Sequence, residues 1–150
     1  MANSKALDAS DPQPSNPSIL VDTPIWRNYF RLDRRTYEII NRLMDGGRIC
    51  CLDLGVGELL MSARNSKEMK VFQDFTQVFP VLQEPPGAWV EAARLFFQVR
   101  RKFPRLSLRD CYIAVVAKTN QVQLYTTNQQ LKRLGRSFGI PIYSDRVKSI

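Results

Sequence analysis

Three carboxylates and one carboxamide, Asp22, Glu58, Asp110 and Asn128, each stand where an apolar run ends or is interrupted. Asp22 closes Ser18-Ile19-Leu20-Val21, and Glu58 lies inside Leu54-Gly55-Val56-Gly57-Glu58-Leu59-Leu60-Met61. Asp110 comes three residues after Ser107, and Asn128 follows Tyr125-Thr126-Thr127. Each has a purely local reading beside a chemical one. Asp22 fits a cap for a helix opened by Thr23-Pro24, and Ser107 to Asp110 fits a capping box with Asp in the Glu/Gln place. Asn128 fits a helix N-cap, and Glu58 fits a solvated stripe shared with Ser62 and Asn65. The chemical reading is that they are gathered at one edge of a parallel sheet. Carboxylates about 4 Å apart at an effective dielectric near 20 repel by roughly 4 kcal/mol per pair. Such a cluster raises a pKa or binds a cation. The chain has no histidine, which excludes Ser-His-Asp and Cys-His mechanisms and His-ligated zinc. An all-oxygen donor set points to Mg²⁺ or Mn²⁺.

Charge is distributed unevenly along the 150 residues. Residues 1–87 hold 10 Lys+Arg against 11 Asp+Glu, whereas residues 88–150 hold 12 against 3. The whole net charge of +8 therefore resides in the last 63 residues, including Arg100, Arg101, Arg105 and Arg109. A one-sided basic patch suggests a polyanion, with nucleic acid ahead of an acidic protein. A hard divalent ion beside a basic face is equipment for phosphodiester hydrolysis.

The elements that must position these residues alternate between strand and helix. Residues 1–17 carry three prolines and few apolar residues and read as a flexible tail, leaving 18–150 as a single domain. Strands are expected at 18–21, 48–52, 78–82, 122–125 and 140–143. Helices are expected at 23–30, with Thr23 as N-cap and Pro24 at the first helical position, and at 35–44, ended by Gly46-Gly47. Further helices are expected at 53–63, on to about 77, from Trp89 through Phe103, at 107–118 and at 129–137. Short apolar strands separated by helices indicate a parallel sheet covered on both faces, an α/β/α sandwich of three layers. Ligand sites in that class form outside the carboxyl ends of the strands. Cys50, Cys51 and Cys111 are odd in number and lie in apolar stretches, so they read as reduced core residues. No apolar window approaches the length of a membrane span and no signal-peptide pattern opens the chain, so a cytoplasmic protein is expected.

Ile19-Leu20-Val21-Asp22-Thr23, with Trp26 and Tyr29-Phe30, resembles the opening of PIN domains of the VapC toxin type. Gly57-Glu58-Leu59-Leu60 is similar to that family's second acidic motif, Leu106 to Ala114 to its third, and Leu124-Tyr125-Thr126-Thr127-Asn128 to its fourth. The resemblance runs over about residues 18–145. It implies a five-stranded parallel sheet of order 3-2-1-4-5. It implies that Asp22, Glu58 and Asp110 hold Mg²⁺ or Mn²⁺, that Asn128 completes the catalytic set, and that Thr23 and Thr126 support it. Where many PIN domains have Asp at the fourth motif, this chain has Asn128, a carbonyl oxygen without a charge. The implied activity is endoribonuclease cleavage of RNA by a metal-activated water, with Arg100, Arg101, Arg105 and Arg109 on flanking phosphates. The implied partners are a small antitoxin protein and a second copy in a homodimer; Trp26, Tyr29 and Phe30 read first as core residues and second as lining of the antitoxin's groove.

Two other classes compete. A PIN-like module that binds RNA or protein without cleaving it has no need of three acids. A Rossmann-like enzyme needs a glycine-rich phosphate loop, and neither Gly46-Gly47 nor Gly55-Val56-Gly57 makes GxGxxG or a P-loop.

Overall fold

A run of three apolar residues, Ile19-Leu20-Val21, forms the central strand β1 (Ile19–Val21), buried along its whole length. The computed structural model describes residues 18–145; the tail expected at 1–17 lies outside them. Strand β1 pairs in parallel with β2 (Ile49–Cys50) on one side and β3 (Gln123–Tyr125) on the other, giving the order β2-β1-β3. The register sets Ile19 opposite both Ile49 and Gln123, and Leu20 opposite Cys50 and Leu124.

Successive side chains of a strand face opposite ways, and the sheet has a core on each face. Ile19, Val21 and Ile49 pack with Ile25, Trp26, Ile39, Ile40, Leu43 and Phe72. Leu20, Cys50 and Leu124 pack on the other side with Ala92, Leu95, Ile113, Val116 and Leu134. The first face is covered by α1 (Thr23–Phe30), α2 (Arg34–Asp45), α3 (Asp53–Met61) and α4 (Ser66–Thr76). The second is covered by α5 (Ala88–Val99), α6 (Leu108–Thr119) and α7 (Gln129–Phe138). The expected three-layer α/β/α arrangement with a parallel sheet is the one observed.

Two of the five expected strands are not formed as strands. Among the described residues the sheet has three strands. The segments at 78–82 and 140–143 are reduced to single parallel bridges, Cys51 to Val81 and Leu124 to Ile142. The cause is proline. Pro80 and Pro141 accept from Cys51 N–H and Leu124 N–H at 2.9 Å each, but neither has an N–H to extend its ladder. The bridges lie beside β2 and β3, but the sheet itself has three strands and not the five expected.

Helix α5 ends at Val99, four residues before Phe103. Phe103 reaches the core from the turn that follows, 2% exposed. The face expected from Trp89 through Phe103 thus joins a helix to a turn, and Ala93 on that helix is exposed. Trp89 stacks flat on Tyr112 of α6, with ring centroids 3.9 Å apart and planes 9° apart. The three cysteines are free and buried, and burial pushes the thiols of Cys50 and Cys51 up to about 12 and that of Cys111 to about 11. No helix among the described residues is long and apolar enough to cross a membrane.

Candidate functional site

The carboxyl end of β1 runs directly into the N-terminus of α1, and Asp22 is the hinge between them. It is the N-cap of α1: its Oδ1 accepts from Thr23 N–H at 2.9 Å. Thr23 is therefore the first helical residue, not the cap expected from the sequence. Released from capping, the Thr23 hydroxyl donates to Glu58 Oε1 at 2.9 Å. Glu58 projects from α3 toward β1 and not along the solvated stripe.

Asp110 enters from a third element, the first turn of α6. The Ser107 to Asp110 capping box is formed in both directions, each hydrogen bond at 3.1 Å. Asn128, at the end of β3, caps α7 through Leu131 N–H at 3.1 Å. Its amide lies 3.5 Å from Asp110 Oδ2, a long contact. Thr126 is buried behind Asp22; its hydroxyl donates to Asp22 Oδ2 at 2.8 Å and accepts from Asn128 N–H at 3.1 Å. Local capping and convergence at the sheet edge are thus both realised, on the same side chains.

The centre of the convergence is a guanidinium. Arg109, adjacent to Asp110 on α6, donates from Nε to Glu58 Oε2 at 2.6 Å and from Nη2 to Glu58 Oε1 at 2.9 Å. The same Nη2 donates to Asp22 Oδ1 at 2.7 Å, and Nη1 to Asp110 Oδ1 at 3.2 Å. The sequence set Arg109 among the arginines facing phosphate; the structure turns it inward onto all three carboxylates. Burial alone would raise the Glu58 pKa. The hydrogen bond and charge of Arg109, the Thr23 hydroxyl and the charge of Arg27 outweigh it and hold Glu58 below the ordinary carboxylate range. Burial works against the charged form of Arg109, but the hydrogen bond to Glu58 and the charge of Asp22 prevail, raising its pKa and keeping it protonated.

The fit of this site to a divalent metal follows from its donors. Three carboxylates converge without histidine or thiolate, a hard-oxygen set of the kind Mg²⁺ and Mn²⁺ take. Among the described residues, however, no three acidic, cysteine or histidine side chains are placed as they stand to hold one ion. The guanidinium lies between them. The residues fit a metal in kind, with Arg109 withdrawn.

The other basic residues expected at the site lie at the end of α5 and in its connection to α6. Arg100 caps α5 and stacks over Phe97 at 4.5 Å. Arg101 and Arg105 are exposed in the α5–α6 connection, which leads straight to Asp110. Arg105 N–H donates to Gln130 of α7 at 2.8 Å, placing that connection beside the N-terminus of α7. Arg27 was absent from the sequence-based set. It lies one turn beyond Asp22 on α1, and its charge acts on Glu58. Arg27 also lines a groove of about 770 Å³ whose apolar lining includes Phe30, Val71 and Phe72, with Arg31 and Arg64 beside them. The i, i+4 spacing of Arg27 and Arg31, on the helix that Asp22 caps, was the signal available in the sequence. Of the aromatic residues weighed between core and groove, Trp26 is in the core, 3% exposed against Tyr29, Phe75 and Phe79, whereas Phe30 also lines this groove.

The fold and the sequence agree with known proteins in the same direction. No curated protein matches the chain significantly. Among solved structures, DNA-bound VapBC from Salmonella typhimurium superimposes with a TM-score of 0.66 at 21% identity, covering 85% of this chain and 97% of that one. VapBC2 from Rickettsia felis, bound to a promoter DNA fragment, gives 0.66 at 15% identity, covering 83% and 96%. FitAcB from Neisseria gonorrhoeae gives 0.60 at 17% identity, covering 84% and 96%. At these identities the likeness is one of fold. The family profile of the PIN domain matches residues 19–137, a stretch that contains every carboxylate of the cluster, and the chain belongs to the PIN domain family.

Proposed function

We propose that this protein is a metal-dependent endoribonuclease and the toxin of a toxin–antitoxin pair. The observation that carries the reading is the convergence of Asp22, Glu58 and Asp110 from three separate elements onto one cation position at the carboxyl edge of the sheet. Asp22 and Asp110 also cap helices, but capping does not require three carboxylates to meet, and three brought together repel one another and call for a cation.

In this reading Asp22, Glu58 and Asp110 hold Mg²⁺ or Mn²⁺, which when bound supplies an activated water and stabilises charge on the phosphodiester. The chain's own part is positioning. Thr126 and the N-terminus of α1 fix the two oxygens of Asp22. Thr23 orients Glu58, and Ser107 with Asn128 orients Asp110. Arg100, Arg101 and Arg105 offer exposed cations to the flanking phosphates of RNA. The groove beside α1 and α4, apolar within and carrying Arg27, Arg31 and Arg64, suits an antitoxin segment with apolar and acidic residues. Val90 and Phe97, exposed seven residues apart on α5, supply apolar surface for a second copy.

A second reading draws on Arg109: with a guanidinium on the carboxylates, the domain binds RNA or a protein without cleaving. One experiment separates the two. The purified chain is incubated with single-stranded RNA and Mg²⁺ or Mn²⁺, beside Asp110→Asn and an EDTA control. Metal-dependent fragments that disappear in the variant support the nuclease. RNA binding without fragments in any of the metals supports the second reading.

A further inference from the structure

Arg109 sits where the proposed metal would, and its neighbours divide their oxygens in a telling way. Asp22 gives Oδ2 to Thr126, and Asp110 gives Oδ2 to the Ser107 N–H and the Asn128 amide. The other oxygen of each, with both oxygens of Glu58, faces Arg109. Asp110 thus commits one oxygen to the fold and turns the other to the shared cation, while Asp22 Oδ1 faces that cation and also accepts from Thr23 N–H at 2.9 Å.

The compensation is incomplete. Three carboxylates face one guanidinium, and Arg27 acts on Glu58 only through its charge. A site left with excess negative charge favours a more highly charged cation over the one it holds. The guanidinium also has a way out. The side chains of Asp22 and Asp110 are 2% and 8% exposed, whereas that of Arg109 is 26% exposed, so it lies on the solvent side of the aspartates. Its four-bond stem can swing outward by side-chain rotation alone, because the capping box of Ser107 and Asp110 anchors the backbone of α6 independently.

We propose that Arg109 is a resident counter-cation: it neutralises the acidic cluster in the metal-free protein, and a divalent ion binds by displacing it. The inference rests on the metal-dependent reading above. It adds that metal affinity is set by competition within the chain and that the site passes between two cation-filled states. Arg109 is a positioning residue in this scheme, acting on the carboxylates and not on the substrate.

The test is titration of the full-length protein with Mn²⁺, following free Mn²⁺ by electron paramagnetic resonance, in the wild type, Arg109→Gln and Arg109→Gln/Asp110→Asn. The proposal expects Arg109→Gln to bind one Mn²⁺ at least tenfold more tightly than the wild type, and the double variant to lose that binding. Equal affinity in the wild type and Arg109→Gln, abolished by Asp110→Asn, would overturn the proposal while leaving the metal site intact. No saturable binding in any form would overturn both. A second measurement needs no folded variant. In ¹⁵N-labelled wild type the arginine Nε–H held by Glu58 should exchange slowly without metal and lose that protection as Mg²⁺ is added; a proton that stays protected at saturating Mg²⁺ contradicts displacement. Arg109→Lys, which keeps the charge but not the fork, should fall between the wild type and Arg109→Gln in Mn²⁺ affinity.

Discussion

The hydroxyl of Thr126 donates to Asp22 Oδ2 at 2.8 Å across 104 residues of chain, with both side chains buried. This bond ties the end of β3 to the end of β1 and fixes the carboxylate from beneath. Thr126→Val keeps the shape but strands a buried carboxylate oxygen and the Asn128 N–H. It should lower stability by about 2–3 kcal/mol, whereas Thr126→Ser should retain most of it. Denaturant titration of the two variants checks this, and a Val variant as stable as the wild type would contradict it.

Asp22→Asn separates two accounts of the acidic cluster. Repulsion among three carboxylates alone predicts that removing one charge stabilises the metal-free protein. The structure predicts the reverse, because the charge of Asp22 is paired with Arg109 at 2.7 Å, whereas Asn keeps the α1 cap but not the pair. The expected loss is about 2–4 kcal/mol, read as a fall in the calorimetric midpoint in EDTA.

Metal should stabilise the fold through Asp110. At a hundred times the dissociation constant a specific site adds about 2.7 kcal/mol. The thermal midpoint of the wild type should therefore rise with Mn²⁺, and that of Asp110→Asn should not. Equal shifts in both proteins would place the ion elsewhere.

Arg101 and Arg105 are exposed on the connection leading to α6. If they meet RNA phosphates, Arg101→Ala and Arg105→Ala should each weaken binding without changing sequence preference. Each should also reduce the slope of log affinity against log salt by roughly 0.7 for a single strand. Fluorescence anisotropy with a labelled oligonucleotide across a salt series measures both quantities; an unaltered slope would remove that arginine from the interface.

The buried thiols give the pH dependence. Cys50 and Cys51 keep their protons in the folded protein up to about 12, against an ordinary value of 9.0. The unfolded chain releases those protons earlier, so it binds fewer protons than the native state between these values. Stability is therefore fully present below pH 9 and falls as pH rises toward 12. Cys50→Ala/Cys51→Ala should flatten that alkaline decline in equilibrium unfolding. The native protein should also be inert to a thiol reagent at pH 8 and react at three sites once denatured.

Much of this was legible in the sequence because it depends on local pattern. Ile19 to Val21 and Ile49-Cys50 are short apolar runs between helix signals, and they form the paired strands. Ile39, Ile40 and Leu43 recur at helical spacing, and all three are buried. The edges were less legible: the segments around Val81 and Ile142 have strand-like composition, but a single proline in each, Pro80 and Pro141, limits pairing to one bridge. The direction of Arg109 was not legible at all. Its charge is visible in the sequence, but its partners Asp22 and Glu58 lie 87 and 51 residues away and meet it only once the sheet has brought three elements together. Counting charge along the chain assigned Arg109 to the surface with its neighbours, and only the tertiary contact distinguishes it from Arg105.

The two tryptophans divide between the two faces of the sheet. Trp26 belongs to the core beneath α1 and α2, among Tyr29, Phe75 and Phe79. Trp89 lies over the opposite layer, flat against Tyr112. Each layer therefore carries its own intrinsic fluorophore. With Trp26→Phe or Trp89→Phe, the remaining emission follows one face alone, and the coincidence of the two unfolding curves becomes a direct measure of whether the layers on either side of the sheet are lost in a single cooperative step.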